Sequence, residues 1–202
     1  MSKNNIYEVP DFSEIEENHT RILSFDPGSV NMGCSLLDID RSSKKIQVLA
    51  NTVLMNPLHD IKQFSKERIL FLEEISSWVA KGNPNAIVAE RFQSRGIKGT
   101  TIECVCMMLG MLSMFNLPTL YITASTWKNR YQKRFNIDLR EIYREISPAP
   151  HQLDSALIGC FGAESGLKTF INFSIDDVIN QVTDTSLVPL KIRKHWRIED
   201  EN

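Results

Sequence analysis

The four cysteines, Cys34, Cys104, Cys106 and Cys160, never fall at paired CxxC spacing, so the 202-residue chain offers neither a zinc pattern nor a disulfide framework. They read as small hydrophobes of a reducing, intracellular compartment. No apolar stretch resembling a secretion signal occurs near the start; residues 1–20 are polar and rather acidic and are expected to form a loose arm. The longest apolar run, from Cys104 to Phe115, is shorter than the about 20 residues needed to cross a bilayer, so no membrane span is expected and the protein should be soluble. Internal repeats and low-complexity tracts are absent as well. The charges nearly cancel, 23 Lys and Arg against 25 Asp and Glu for a net −2, which excludes a chain that is basic all over. Any anion-binding face must be local.

What the chain does contain is enough apolar material, 42%, for one globular domain with modest extensions. Arg21 to Asp40 reads as strand, tight glycine-containing turn and strand, with a third strand at Lys45 to Val53; short connections make this an antiparallel meander. The period then becomes helical from His59 to Val79, where KGNP stops it. AIVAER, from Ala86 to Arg91, reads as a buried strand, Gly99 to Phe115 as a helix, and TLYIT as a further buried strand. Helices follow near Ser125 to Phe135, Leu139 to Ile146 and Gln152 to Ala163. This βββαβαβααα order predicts an α/β fold, a mixed five-stranded sheet flanked by helices, within residues 21–166. Residues 167–202 form an extension without a clear period.

Three acids stand where such a sheet would gather them. Asp26 ends the first strand, Glu90 ends the buried run AIVA, and Asp154 lies on the helix that begins near His151. The carboxyl edge of an open sheet is where ligand sites collect. Taken singly, Asp26 before Pro-Gly is also a good turn residue, Glu90 a solvated strand end, Asp154 a surface acid and His151 a first-turn helix residue. Their combination carries more weight than any one of them.

Three motifs are similar to those of RuvC-type Holliday-junction resolvases, nucleases of the RNase H-like superfamily. DPGSVNMG, at Asp26 to Gly33, resembles the first, AIVAER the second, and HQLDSALIG, at His151 to Gly159, the third. The resemblance runs from Arg21 to Glu164 in order and spacing. It implies a crossover-junction endodeoxyribonuclease of DNA recombination and repair, with Asp26, Glu90, His151 and Asp154 as catalytic ligands of two Mg2+ ions that Mn2+ can replace. Elementary chemistry agrees. His151 and Asp154 are spaced i and i+3, on one helix face, crowded carboxylates need a cation, and an oxygen-rich set with one nitrogen suits Mg2+ or Mn2+ better than zinc. Ser29 is placed either to bond a phosphate oxygen or merely to form the turn.

The family's pattern has an aromatic residue three places after the second-motif Glu, where this chain has Gln93, with Phe92 one place earlier. Phe92 either stacks on an unpaired base or packs in the core. Basic residues cluster downstream at Arg91, Arg95, Lys98, Lys128, Arg130, Lys133 and Arg134, with Arg140 and Arg144 beyond. They read either as a phosphate-binding face for branched DNA or as a solvated helix face. Trp127 among them stacks on DNA or belongs to the core. The stretch from Thr101 to Phe115 is apolar on nearly all sides, which marks a wholly buried helix or one shared between subunits. The resemblance implies a homodimer through it, with Met108 and Met111 as interface positions.

Within the same fold, a nuclease for structured RNA and a junction-binding module without cleavage are alternatives. An ATP-binding domain of the actin and sugar-kinase type also begins with Asp-x-Gly after a strand, but this chain is short for two such domains and has no second Asp-x-Gly.

Overall fold

The computed structural model describes residues 11–28, 30–55, 64–91, 99–145, 150–166, 168 and 170–183. Strands β1 (His19–Asp26), β2 (Asn31–Asp40) and β3 (Lys45–Met55) form the meander. After α1 (Phe64–Gly82) come β4 (Ala86–Arg91), α2 (Thr100–Leu112), β5 (Thr119–Thr123), α3 (Ala124–Phe135), α4 (Leu139–Glu145), α5 (Pro150–Gly166) and α6 (Ile175–Thr183). The five strands make one mixed sheet in the order β3-β2-β1-β4-β5. β1 pairs antiparallel with β2 and parallel with β4, and β4 pairs parallel with β5. The expected sheet is therefore the observed one.

β1 is central, and its neighbours cover both its faces. Ile22 packs toward α5 and α3, whereas Leu23 and Phe25 pack toward α1 and α2, following the alternation of a strand. Each fully buried Leu or Phe of this kind contributes about 1.5–3 kcal/mol. Phe71, Ile75 and Trp78 fill one layer from α1, while Leu153, Leu157 and Phe161 fill the other from α5. Among the described residues no helix is long and apolar enough to cross a membrane.

Helix α5 lies unusually close to the sheet because its contact points lack side chains. A Cβ on Gly33 would fall 1.9 Å from the His151 carbonyl oxygen, and one on Gly159 would fall 1.9 Å from Leu37 Cδ1. Hydroxyls and an amide fill the seam. Ser24 Oγ donates to the Ser155 carbonyl at 2.7 Å, the Ser35 and Ser155 hydroxyls are 2.6 Å apart, and Asn51 Nδ2 donates to Ser35 Oγ at 2.6 Å and the Gln152 carbonyl at 2.8 Å. Such a buried polar network fixes one register, since sliding the helix would leave these groups unpaired.

The structure departs from expectation at the arm and at α2, and adds an element beyond Gly166. β1 starts at His19, inside the expected arm, and the residues before it are tied down: Phe12 N donates to the Lys81 carbonyl at 2.8 Å, Asn83 Nδ2 to the Ser13 carbonyl at 2.9 Å, and Arg21 to the Glu14 carbonyl. The extension after Gly166 contains α6, which docks on the α5 layer through Ile175, Val178 and Val182. Met108 and Met111 point into the core, at 0% and 7% exposure. The exposed side of α2 instead carries Glu103, Cys106 and Gly110.

Candidate active site

The end of β1 and the end of β4 lie side by side. Their parallel register pairs Phe25 with Ala89, so the next residues along the two strands, Asp26 and Glu90, emerge together at the carboxyl edge. Helix α5 crosses this edge where Gly33 lets it approach, and His151 Nδ1 reaches Asp26 Oδ2 at 2.5 Å. One turn on, Asp154 is 5% exposed; its Oδ2 accepts from Lys128 Nζ at 2.7 Å and its Oδ1 from the Tyr143 hydroxyl. Glu90 Oε2 accepts from Trp127 Nε1 at 2.8 Å. The ammonium of Lys128 lies 4.9 Å from the Trp127 ring and 5.5 Å from the Tyr143 ring, a cation held by two aromatic faces.

No protein-family model and no curated protein matches the sequence. Solved structures do match the fold. RuvC of Thermus thermophilus, in complex with a Holliday-junction substrate, is 17% identical over 73% of this chain and 97% of its own, with a TM-score of 0.55. A second T. thermophilus RuvC structure is 14% identical with the same coverage and a TM-score of 0.54. The fold is that of the RuvC-type resolvases.

In this RuvC-like sheet the four motif residues occupy one neighbourhood, and their electrostatics are strained. Burial, followed by the charge of Asp26, pushes the Glu90 carboxyl up to about 7. Burial and Asp26 likewise push Asp154 up to about 6. The hydrogen bond to Asp26 raises His151 above the usual imidazole range. Burial alone would lower Lys128, but Asp154, Glu90 and Asp26 outweigh it and hold the ammonium charged. When ionised, the three acids outnumber Lys128 and a protonated His151, and the surplus of negative charge favours binding a cation. The donor chemistry, carboxylate oxygens with one imidazole nitrogen, fits a hard divalent ion. Among the described residues no three His, Cys, Asp or Glu side chains converge closely enough to hold a metal ion as they stand, and both carboxylate oxygens of Asp154 are engaged by Lys128 and Tyr143.

The basic residues divide into distinct groups. Lys128 belongs to the site itself. Arg134 is committed inward, to Glu164 Oε1 at 2.6 Å and the Ile171 carbonyl at 2.9 Å, against the rings of Phe135, Phe170 and Phe173. Arg130 is half exposed and lies 3.4 Å from Glu164. Arg91, Lys133, Arg140 and Arg144 are exposed. Ser29, Phe92, Arg95 and Lys98 lie outside the described residues. Trp127 is wholly buried, which decides for the core, although its indole nitrogen serves Glu90. Tyr143 was not among the residues that the sequence singled out. Its only signal is an aromatic within the otherwise charged helix LREIYRE.

Proposed function

We propose that this protein is a metal-dependent, structure-selective endodeoxyribonuclease that resolves four-way or branched DNA by phosphodiester hydrolysis. The observation that carries this reading is the gathering of Asp26, Glu90, His151 and Asp154 at the carboxyl edge of a RuvC-like sheet, with more negative charge than Lys128 offsets. A solved protein of this fold is described in complex with a Holliday-junction substrate, which supports branched DNA as the ligand.

Asp26, Glu90, His151 and Asp154 would hold two divalent cations, Mg2+ or Mn2+. Such ions supply charge stabilisation to the attacking and leaving oxygens of an in-line displacement at phosphorus. His151 would ligate a metal only as the neutral ring, through Nε2, while its Nδ1–H can keep donating to Asp26. Lys128, charged and beside the acids, is placed to meet a phosphate oxygen once its ammonium leaves Asp154. The exposed Arg91, Lys133, Arg140 and Arg144 supply phosphate contacts that position the strand without reading sequence.

Two strands of a junction call for two sites. A homodimer through the exposed side of α2 answers this need: Glu103, Cys106 and Gly110 are exposed there with Ile102, Met107 and Leu109 half-buried beside them, and a Cβ on Gly110 meets nothing within 4 Å. The setting this implies is a compartment that contains DNA.

The test is incubation of labelled four-way junction, linear duplex and structured RNA with the protein, in Mg2+ and in EDTA. Paired nicks near the crossover, in Mg2+ only, are expected, with junction preferred over duplex by about a hundredfold, or about 2.7 kcal/mol. The Asp26→Asn protein should bind the junction and leave it intact. Robust Mg2+-dependent cleavage by that variant would refute the site; equal cutting of duplex and junction would refute the substrate; preferential cutting of RNA would move the reading to structured RNA.

A further inference from the structure

Both carboxylate oxygens of Asp154 are engaged, and the two partners differ in kind. Lys128 reaches Oδ2 by a long flexible stem, and its ammonium can exchange that oxygen for another anion. Tyr143 reaches Oδ1 by a rigid ring packed, half-buried, into the layer that holds α5. Its hydroxyl is a neutral donor, so it adds no positive charge to repel a cation. A carboxylate on a single bond to its helix rotates unless one oxygen is fixed, and partners of metal ligands do this fixing in many sites.

We propose that Tyr143 is a positioning residue: it anchors Oδ1 of Asp154 from α4, so that Oδ2, the oxygen Lys128 now holds, is the one presented to a divalent cation. Trp127 does the matching task on Glu90, donating to Oε2 from α3. Each acid is thus oriented by an aromatic donor from the helical layer beside the sheet, and the lysine between the two rings is the mobile cation of the group. The inference rests on the metal-site reading above and adds a residue to it.

The experiment is direct Mn2+ binding, by calorimetry or by the loss of the free-ion electron-spin signal, to the full-length wild type, Tyr143→Phe and Tyr143→Leu without DNA. Phenylalanine keeps the ring and removes only the donor. Tyr143→Phe should melt close to the wild type, bind junction in EDTA with unchanged affinity, and bind Mn2+ about tenfold more weakly, the usual scale for losing such a partner. Tyr143→Leu should weaken Mn2+ by a similar factor. Mn2+ affinity of Tyr143→Phe within about twofold of wild type overturns the proposal, and so does a loss confined to Tyr143→Leu, which would assign the effect to ring packing. A wild type that takes up no Mn2+ would instead refute the metal site itself and take the proposal with it.

Discussion

Replacing Glu90 by glutamine tests whether the site is electrostatically strained when no metal is present. The amide has the same shape, and its oxygen can still accept from Trp127 Nε1, which lies 2.8 Å from Oε2. Burial and Asp26 raise the Glu90 carboxyl from 4.5 to about 7, so the folded chain holds this proton more tightly than the unfolded one. Below the unfolded value both states are protonated and no cost arises. The cost grows as pH rises from about 4.5 and is complete above about 7. At about 1.36 kcal/mol per unit the full displacement corresponds to about 3 kcal/mol, and partial solvent screening reduces this to about 1–2 kcal/mol. In EDTA at alkaline pH, Glu90→Gln should therefore be the more stable protein, with a melting temperature higher by about 2–6 °C for a domain of this size. Near pH 4.5 the two should melt together. Thermal unfolding of both proteins across that pH range is the assay. A variant that is equally or less stable at alkaline pH would refute the claim that the acids repel one another and await a cation.

At limiting Mg2+, cleavage should rise steeply from about pH 5.5 to 7.5, since Glu90 near 7 and Asp154 near 6 must lose protons before they bind metal, and excess Mg2+ should shift the profile to lower pH; a profile flat across that window would contradict the assigned ligands. His151→Ala should reduce cleavage less than Asp26→Asn, because water can replace a neutral ligand, as single-turnover rates would show. Gly159→Ala should destabilise by about 1–3 kcal/mol or more, because the added methyl meets Leu37 Cδ1 at 1.9 Å and Ser24 Oγ at 2.6 Å; denaturant unfolding measures it. Met107→Glu should give monomers by sedimentation if the exposed side of α2 is an interface, whereas charge at Met108 or Met111 should unfold the subunit.

The positions of Asp26 and Glu90 were readable because each ends an apolar strand run, whereas His151 and Asp154 stood out through the resemblance of HQLDSALIG, with which their three-residue spacing on one helix face agrees. What periodicity could not supply was direction. Helix α2 is apolar almost all round, so no moment says which side meets the sheet, and a wholly buried helix and one shared between subunits read alike at Met108 and Met111. Helix α6 is short, and its three buried residues, Ile175, Val178 and Val182, are too few to stand out from a polar tail. Arg134 shows the same limit for charge: a guanidinium paired with a buried Glu164 has the same letter as one facing solvent. The Tyr143–Asp154 and Trp127–Glu90 bonds join residues 11 and 37 positions apart through tertiary packing, which leaves no local pattern to read.

The close seating of α5 on the sheet ties completion of the site to the synthesis of that helix. Asp26 and Glu90 leave the ribosome early, yet His151 lies 125 positions after Asp26, and the Ser24 hydroxyl must wait for a carbonyl 131 positions ahead. The meander can pair by itself, but joining it to α5 closes a loop of more than a hundred residues, an entropic cost met only when the whole helix docks at once. A nascent chain that has not yet reached α5 therefore carries Asp26 and Glu90 without His151 and Asp154.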